Sequence, residues 1–101
     1  MDLQVTDNPD KSRFEIYADG ELAGFVQYET SGREIAFIHT QTDSRFRGQG
    51  LGGHLVQAAL DEARHRNLAV MPYCPFVKGW ITGHREYASL VPEDRRKQFG
   101  L

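Results

Sequence analysis

The hydrophobic pattern changes its period midway along the chain, and this change limits the folds open to it. Up to about residue 42, apolar and polar residues tend to alternate, as in Phe14–Ala18, which is typical of strands with one buried face. From Gly50 to Arg66, apolar residues recur at spacings of three and four, which predicts one long helix. The helical stripe comprises Leu51, Leu55, Val56, Ala59, Leu60 and Ala63. The sequence therefore predicts an α+β fold.

Turn signals divide the first half into a three-stranded antiparallel meander. Asp19-Gly20 is a two-residue hairpin signal between strands predicted at about residues 14–18 and 21–29. The second of these strands is expected to place Leu22 on the face that also carries Val26. A third strand is predicted over residues 34–42, with His39 on the same face as Phe37. Residues 7–13 are polar and are predicted to form a loop.

The segment after the long helix completes the predicted fold. Residues 68–73 form a short apolar run, which predicts a fourth strand. Because a helix connects it to the meander, this strand should pair in parallel. Arg64–Arg66 suit the end of the long helix, and Asn67 suits a left-handed cap. Two short helices are expected near residues 75–81 and 84–90, followed by a polar tail. The predicted architecture is a mostly antiparallel sheet crossed by one long helix.

Length and composition exclude several classes of protein. The 101 residues allow one domain, 1–101, with 40% hydrophobic content for a core. A single cysteine, Cys74, excludes an intramolecular disulfide and a zinc site built on paired thiolates. A formal net charge of -2 argues against nucleic-acid binding, and no apolar run is long enough to span a membrane. The first residues carry no secretory signal pattern, so we expect a cytoplasmic location and no metal.

A glycine-rich segment, Arg47–Gly53, stands between the third strand and the long helix. It holds four glycines within residues 48–53, and residues 48–50 include no Ser, Thr, Asp or Asn to cap the helix. The first N–H groups of the helix therefore lack an obvious internal acceptor, and Arg45 and Arg47 flank them. This combination predicts a cradle for a phosphate or pyrophosphate. A flexible connection without a ligand is the alternative.

Two other phosphate-binding motifs do not fit this segment. A P-loop is excluded because no Gly-Lys-Ser/Thr follows. Gly48, Gly50 and Gly53 match the spacing of the dinucleotide-binding fingerprint, but hairpins precede them instead of a βαβ unit. No acidic residue lies between Glu62 and Glu86, where the ribose-binding carboxylate should be.

Cys74 follows the predicted fourth strand and precedes Pro75, a residue suited to the first position of a helix. A sulfur at a helix N-terminus is placed where the dipole favours the thiolate. Such a group could act as a nucleophile or as a base. A buried and inert cysteine is the alternative.

The stretch Arg47-Gly48-Gln49-Gly50-Leu51-Gly52 resembles the acyl-CoA pyrophosphate loop of the GNAT superfamily of N-acyltransferases, whose pattern is Gln/Arg-x-x-Gly-x-Gly/Ala. The order of meander, loop, long helix and strand is similar as well. More narrowly, residues 12–90 resemble a minimal single-domain group of that superfamily. This likeness rests on residues 37–40, the loop, and residues 72–77, with Trp80, His84 and Tyr87.

The resemblance implies acetyl-CoA as co-substrate and a primary amine, on a small molecule or a protein, as acceptor. The pyrophosphate would lie on the backbone amides of residues 47–52, namely Arg47, Gly48, Gln49, Gly50, Leu51 and Gly52. Arg45, Arg47 and Lys78 are candidates for contact with the 3′-phosphate, and a solvated surface charge is the alternative for Lys78. The pantetheine arm would occupy a gap where the third and fourth strands splay apart. We expect a monomer or a weak homodimer.

The resemblance also suggests catalytic residues. His39 is the candidate general base because histidine titrates near neutral pH. Cys74 is a candidate for proton transfer or nucleophilic attack, and Tyr87 lies where such enzymes often place the acid that protonates the departing CoA thiolate. Structural roles are the alternatives for His39 and Tyr87. Larger members insert two helices where this chain has only Asp19-Gly20, so a non-catalytic acyl-CoA-binding or sensing module is the alternative function.

Overall fold

The computed structural model describes residues 1–101, and a five-stranded sheet forms its framework. The strands stand side by side in chain order. The first four pair antiparallel, and the fifth pairs in parallel with the fourth, which confirms the predicted α+β class. The strands and helices are β1 (Leu3–Asn8), β2 (Arg13–Ala18), β3 (Glu21–Ser31), β4 (Glu34–Thr42), α1 (Leu51–His65), β5 (Ala69–Pro72) and α2 (Pro75–Gly83). No helix combines the length and the apolar character needed to cross a membrane.

The first strand was not predicted from the sequence. β1 pairs with β2 from Leu3 opposite Ala18 to Asn8 opposite Arg13. The loop predicted over residues 7–13 is therefore wrong for Asp7, Asn8 and Arg13, which lie in strands, and Pro9–Lys11 form a 3₁₀ turn. The polar end of β1 is accommodated by partners on other strands, since Asn8 donates its amide to Glu15 at 3.2 Å.

The predicted hairpin and long helix are confirmed. Asp19 and Gly20 have φ values of 49° and 84°, the positive values that a tight two-residue hairpin requires. α1 lies against the sheet, and Asn67 ends it in the left-handed conformation with φ 58°. The N–H of Leu68 then bonds the carbonyl of Ala63 at 2.9 Å. All six predicted stripe residues are buried: Leu51, Leu55, Val56, Ala59, Leu60 and Ala63.

The C-terminal part packs more closely than the sequence predicts. α2 contacts β4, β5 and α1, and buries Val77 and Ile81. The second predicted short helix is a 3₁₀ segment over Arg85–Leu90. The prediction of a polar tail is wrong, because the last residues form 3₁₀ turns and bury Phe99 against Tyr73, with ring centroids 5.1 Å apart.

A bulge in β3 changes which residues face the core. Ile16 pairs with Gly24 and Tyr17 pairs with Leu22, so Ala23 is an extra residue in β3. Ala23 is consequently buried, whereas Leu22 is 39% exposed. The prediction that Leu22 shares the core face with Val26 is therefore wrong.

A second bulge interrupts β4 at Ile38. Gln27 pairs with His39 and Tyr28 pairs with Phe37, which leaves Ile38 without a partner position. The alternation of side chains restarts after this residue, so the prediction that His39 shares a face with Phe37 is wrong. His39 is exposed, and Thr40, opposite the buried Val26, faces the helices instead.

Candidate functional site

The start of α1 is open, as the sequence predicts. Gly50 is the N-cap residue, and no side chain caps the helix. The first helical hydrogen bond runs from the N–H of His54 to the carbonyl of Gly50 at 3.2 Å. The N–H groups of Leu51, Gly52 and Gly53 have no acceptor within the chain. The positive end of the helix dipole is therefore directed at whatever occupies the space in front of it.

A groove of about 250 Å³ lies at this helix start. The inner side chains of β4, the glycine loop and one aromatic ring of α2 form its walls. The lining residues are Thr40, Thr42, Phe46, Arg47, Gly48, Gly50, Leu51, Gly52, Gly53 and Phe76.

The loop glycines serve two different purposes. Gly48 and Gly50 have φ values of 82° and 73° with open space around them, so the backbone conformation itself requires glycine. At Gly52, a Cβ would lie 2.7 Å from Cζ of Phe76. The absence of a side chain at Gly52 therefore allows α2 to approach the first turn of α1 closely.

The structure separates the roles of the two predicted arginines. Arg47 lines the groove, and no carboxylate lies within ion-pair distance of it. Arg45 does not line the groove, and its guanidinium contacts Asp43 at 3.0 Å and Glu21 at 3.4 Å. The hydrogen bond from Arg45 lowers the pKa of Asp43 and raises the pKa of Arg45.

The two parallel strands separate where the groove begins. β4 and β5 are paired from Glu34 opposite Ala69 to Phe37 opposite Pro72. One more hydrogen bond follows, from the N–H of Cys74 to the carbonyl of Phe37 at 2.8 Å. Beyond it the chain turns into α2, while β4 continues to Thr42. The gap between β4 and β5 thus lies where the resemblance implies it.

Backbone donors of β4 point into this gap. The N–H of Asp43 bonds the carbonyl of Ala23 on β3 at 2.7 Å. Because an antiparallel ladder alternates along each strand, the N–H groups of Gln41 and His39 also face β3. Those of Thr40 and Thr42 face the opposite edge, which β5 has left open.

Cys74 is the N-cap residue of α2, and Pro75 occupies the first turn, as predicted. Its side chain is only 3% exposed, and Sγ lies 3.2 Å from Oγ1 of Thr40. Sequence reasoning missed the contribution of the Thr40 side chain, because its orientation depends on the bulge at Ile38, for which the sequence carries no clear local signal.

His39 and Cys74 lie on opposite sides of β4. The exposed imidazole of His39 packs edge-on against Phe25, with ring centroids 6.1 Å apart. Its Nε2 is 3.5 Å from Oε1 of Gln41. His39 therefore faces the sheet surface that lies away from α1, whereas Cys74 adjoins the groove through Thr40.

Tyr87 is also separate from the groove. Its hydroxyl donates a hydrogen bond to Asp61 at 2.8 Å, and its ring packs edge-on against Trp80. Burial, followed by the hydrogen bond to Asp61, raises the pKa of Tyr87. Asp61 is ten residues after Leu51, or roughly 15 Å along the helix axis.

The structure therefore brings together Arg47, the glycine loop, Thr40 and Cys74, but not Arg45, His39 or Tyr87. Nowhere do three or more His, Cys, Asp or Glu side chains converge in a group that could hold a metal ion.

A splayed parallel strand pair beside an uncapped, glycine-rich helix start is the arrangement that the resemblance to N-acyltransferases implies. A family model described as GCN5-related N-acetyl-transferase matches residues 13–90. The chain belongs to the GCN5-related N-acetyltransferase family.

Solved structures share the fold of this chain. A GCN5-like protein from Staphylococcus aureus has a TM-score of 0.68 and 24% identity, over 89% of this chain and 88% of its own. Ard1 from Thermoplasma volcanium has a TM-score of 0.52 and 28% identity, over 61% of this chain but 42% of its own. A ribosomal-protein-alanine N-acetyltransferase from Brucella melitensis has a TM-score of 0.55 and 23% identity, over 79% and 60%. The chain thus spans less than two thirds of the length of the latter two proteins.

Proposed function

We propose that this protein is an acetyl-CoA-dependent N-acetyltransferase that acts on a primary amine, as a monomer or weak homodimer in the cytoplasm. The observation that carries the proposal is the open row of N–H groups at the start of α1, next to the gap between β4 and β5. Acetyl-CoA supplies an activated acetyl thioester. Family membership supports the same reaction.

The residues present suit the two ends of this co-substrate. The unpaired amides of Leu51, Gly52 and Gly53, together with the loop at Gly48–Gly50, offer donors to a pyrophosphate. Arg47 adds a positive charge without a competing carboxylate. The free edge of β4 offers further backbone donors to the amide groups of an extended pantetheine arm.

Three groups of the chain are proposed to assist the transfer. The N–H of Thr40 or Thr42 polarises the thioester carbonyl as an oxyanion donor. His39 lies on the face of β4 away from the groove, so it accepts the proton that the attacking amine loses through solvent and not by direct contact. Cys74 and Tyr87 were the two candidates for the proton donor, and the contact with Thr40 favours Cys74, because Tyr87 already donates its hydroxyl to Asp61.

Measurement of CoA release from acetyl-CoA with a panel of amines, polyamines and peptides tests the proposal. We expect release above the blank with at least one class of amine, and its loss in the Gly50→Val variant. Intact-protein mass spectrometry of wild type and Cys74→Ala after acetyl-CoA exposure tests the route. We propose direct transfer, because the sulfur is buried and held by Thr40, so no acetyl group should remain on Cys74.

A non-catalytic acyl-CoA-binding or sensing module is the second candidate. The tight hairpin at Asp19-Gly20 favours it, because no inserted element stands between β2 and β3 to form a wall for an acceptor. Tight CoA binding without release above the blank, for every amine in the panel, would establish this function instead.

A further inference from the structure

The side chain of Thr40 lies between the groove and the thiol of Cys74. Thr40 lines the groove, whereas Cys74 does not and is 3% exposed. The contact between Oγ1 of Thr40 and Sγ of Cys74, at 3.2 Å, is the only hydrogen bond in which the sulfur takes part. No charged side chain forms a hydrogen bond with Sγ. Any proton that moves between Cys74 and a molecule in the groove must therefore pass through the hydroxyl of Thr40.

A threonine hydroxyl is suited to this position because it has one proton to donate and lone pairs to accept another. The bulge at Ile38 directs Thr40 towards the helices, and the ending of β5 at Pro72 leaves the space beside it open. The same residue presents its backbone N–H to the gap. Thr40 thus offers two donors at one point of the groove, one from the backbone and one from the side chain.

We propose that Thr40 is a catalytic residue that passes a proton from Cys74 to the departing CoA sulfur, an inference that rests on the proposed acetyltransferase function. As the amine nitrogen bonds the carbonyl carbon, the carbon–sulfur bond breaks and its electron pair goes to the CoA sulfur. Thr40 donates its hydroxyl proton to that sulfur, and Cys74 replaces it with its thiol proton. The proton lost by the new amide nitrogen passes through solvent to His39, which releases it to bulk solvent, and Cys74 is reprotonated from solvent through the hydroxyl of Thr40 after CoA has left. Because donor and final acceptor are both thiols, the net transfer needs no large difference in acidity.

Steady-state kinetics with three variants test the relay. Thr40→Val removes the hydroxyl but keeps the branched shape, and we expect kcat to fall about 100-fold with KM for acetyl-CoA changed less than about threefold. Thr40→Ser restores the hydroxyl and should keep kcat within about fivefold of wild type. A double variant, Thr40→Val with Cys74→Ala, should lose no more than the more damaging single variant, because the two residues act in series.

The S–H stretching band in the infrared gives a readout that needs no activity. The chain has one cysteine, so the band belongs to Cys74 and must vanish in Cys74→Ala. Thr40→Val should move the band to higher wavenumber, because it removes the hydrogen bond. Thr40→Ser and Thr42→Val should leave it in place, since Thr42 lines the same groove but does not contact the sulfur.

Each outcome decides between the two proposals. Three results would overturn the relay and leave the acetyltransferase proposal standing. The first is an S–H band that does not move in Thr40→Val, and the second is an effect of Thr40→Val on KM alone. The third is a loss of kcat in the double variant that equals the product of the losses in the two single variants. Binding of CoA without acetyl transfer to any amine overturns both, even if the S–H band shifts. A kcat loss rescued by Thr40→Ser, with the predicted band shift, supports the relay.

Discussion

The hydroxyl of Tyr28 on β3 donates a hydrogen bond to Oδ1 of Asp7 on β1 across 2.6 Å. The other carboxylate oxygen of Asp7 accepts from Arg66, just after α1, at 3.0 Å. Arg66 also bonds Glu62 at 2.7 Å. These bonds tie the outermost strand to the end of the long helix, far from the groove.

Removal of the Tyr28 hydroxyl should therefore affect stability without affecting catalysis. Tyr28→Phe is expected to lower the free energy of unfolding by about 1.5–2 kcal/mol at neutral pH, because the lost hydrogen bond has a charged acceptor. Chemical denaturation measures the change. An equal loss of acetyl transfer in the folded variant would contradict the separation of this cluster from the site.

The same residue predicts a pH dependence of stability. Burial, followed by the bond to Asp7, raises the pKa of Tyr28 to about 12. The folded protein then holds this proton more tightly than the unfolded chain, whose tyrosines titrate near pH 10. Its contribution to stability is thus complete below about pH 10 and is lost as the pH rises towards 12. Chemical denaturation of wild type and Tyr28→Phe at a series of pH values should show a shallower decline in the variant over this range.

Two glycines with the same backbone conformation provide a test of the ligand position. Gly50 and Gly20 have φ values of 73° and 84°, and at neither would an added Cβ have another atom within 4 Å. Valine at either site should cost about 1–2 kcal/mol of stability through backbone strain. Only Gly50→Val should weaken CoA binding by more than about tenfold, because only Gly50 begins α1. Equal CoA affinities by calorimetry would mean that the ligand lies elsewhere.

The two arginines should differ in their effect on CoA binding. Arg47→Ala is expected to weaken binding about tenfold and to flatten its salt dependence, because Arg47 is a groove-lining cation without a carboxylate partner. Arg45→Ala should cost about two- to threefold, since Asp43 already neutralises its charge. Titration calorimetry at several ionic strengths compares the variants. A larger effect at Arg45 would reverse this assignment.

Helix packing at Gly52 can be separated from helix propensity. Gly79→Ala, in an open position of α2, should stabilise the fold by about 0.5–1 kcal/mol. Gly52→Ala should not, because the added Cβ displaces the ring of Phe76. In a chain that already carries Phe76→Ala, the addition of Gly52→Ala should raise the free energy of unfolding, because the ring is no longer in the way. Stabilisation by Gly52→Ala alone would show that the two helices are not in close contact.

Local patterns were sufficient to predict much of the fold. The spacing of apolar residues identified the buried face of α1, and Asp19-Gly20 and Asn67 marked a turn and a helix end through their own conformational preferences. The open helix start was also predictable, because the absence of a capping side chain can be seen in the sequence. These features depend on residues that are neighbours in the chain.

Features that depend on distant partners were missed. β1 exists because β2 pairs with it, and its polar end is accommodated by contacts such as Tyr28 with Asp7. Phe99 packs on Tyr73, which is far away in sequence. The orientations of His39 and Thr40 depend on the register between β3 and β4, which no local pattern determines.

At Ile38, β4 has one residue more than the paired segment of β3. This extra residue determines which side chains after it face the helices and which face outward. In an unbroken strand, the imidazole of His39 would point towards the helices and the hydroxyl of Thr40 would point outward. A one-residue deletion here would exchange the two functional groups without altering either amino acid. The number of residues in β4, as much as their identity, therefore determines which functional groups face the groove.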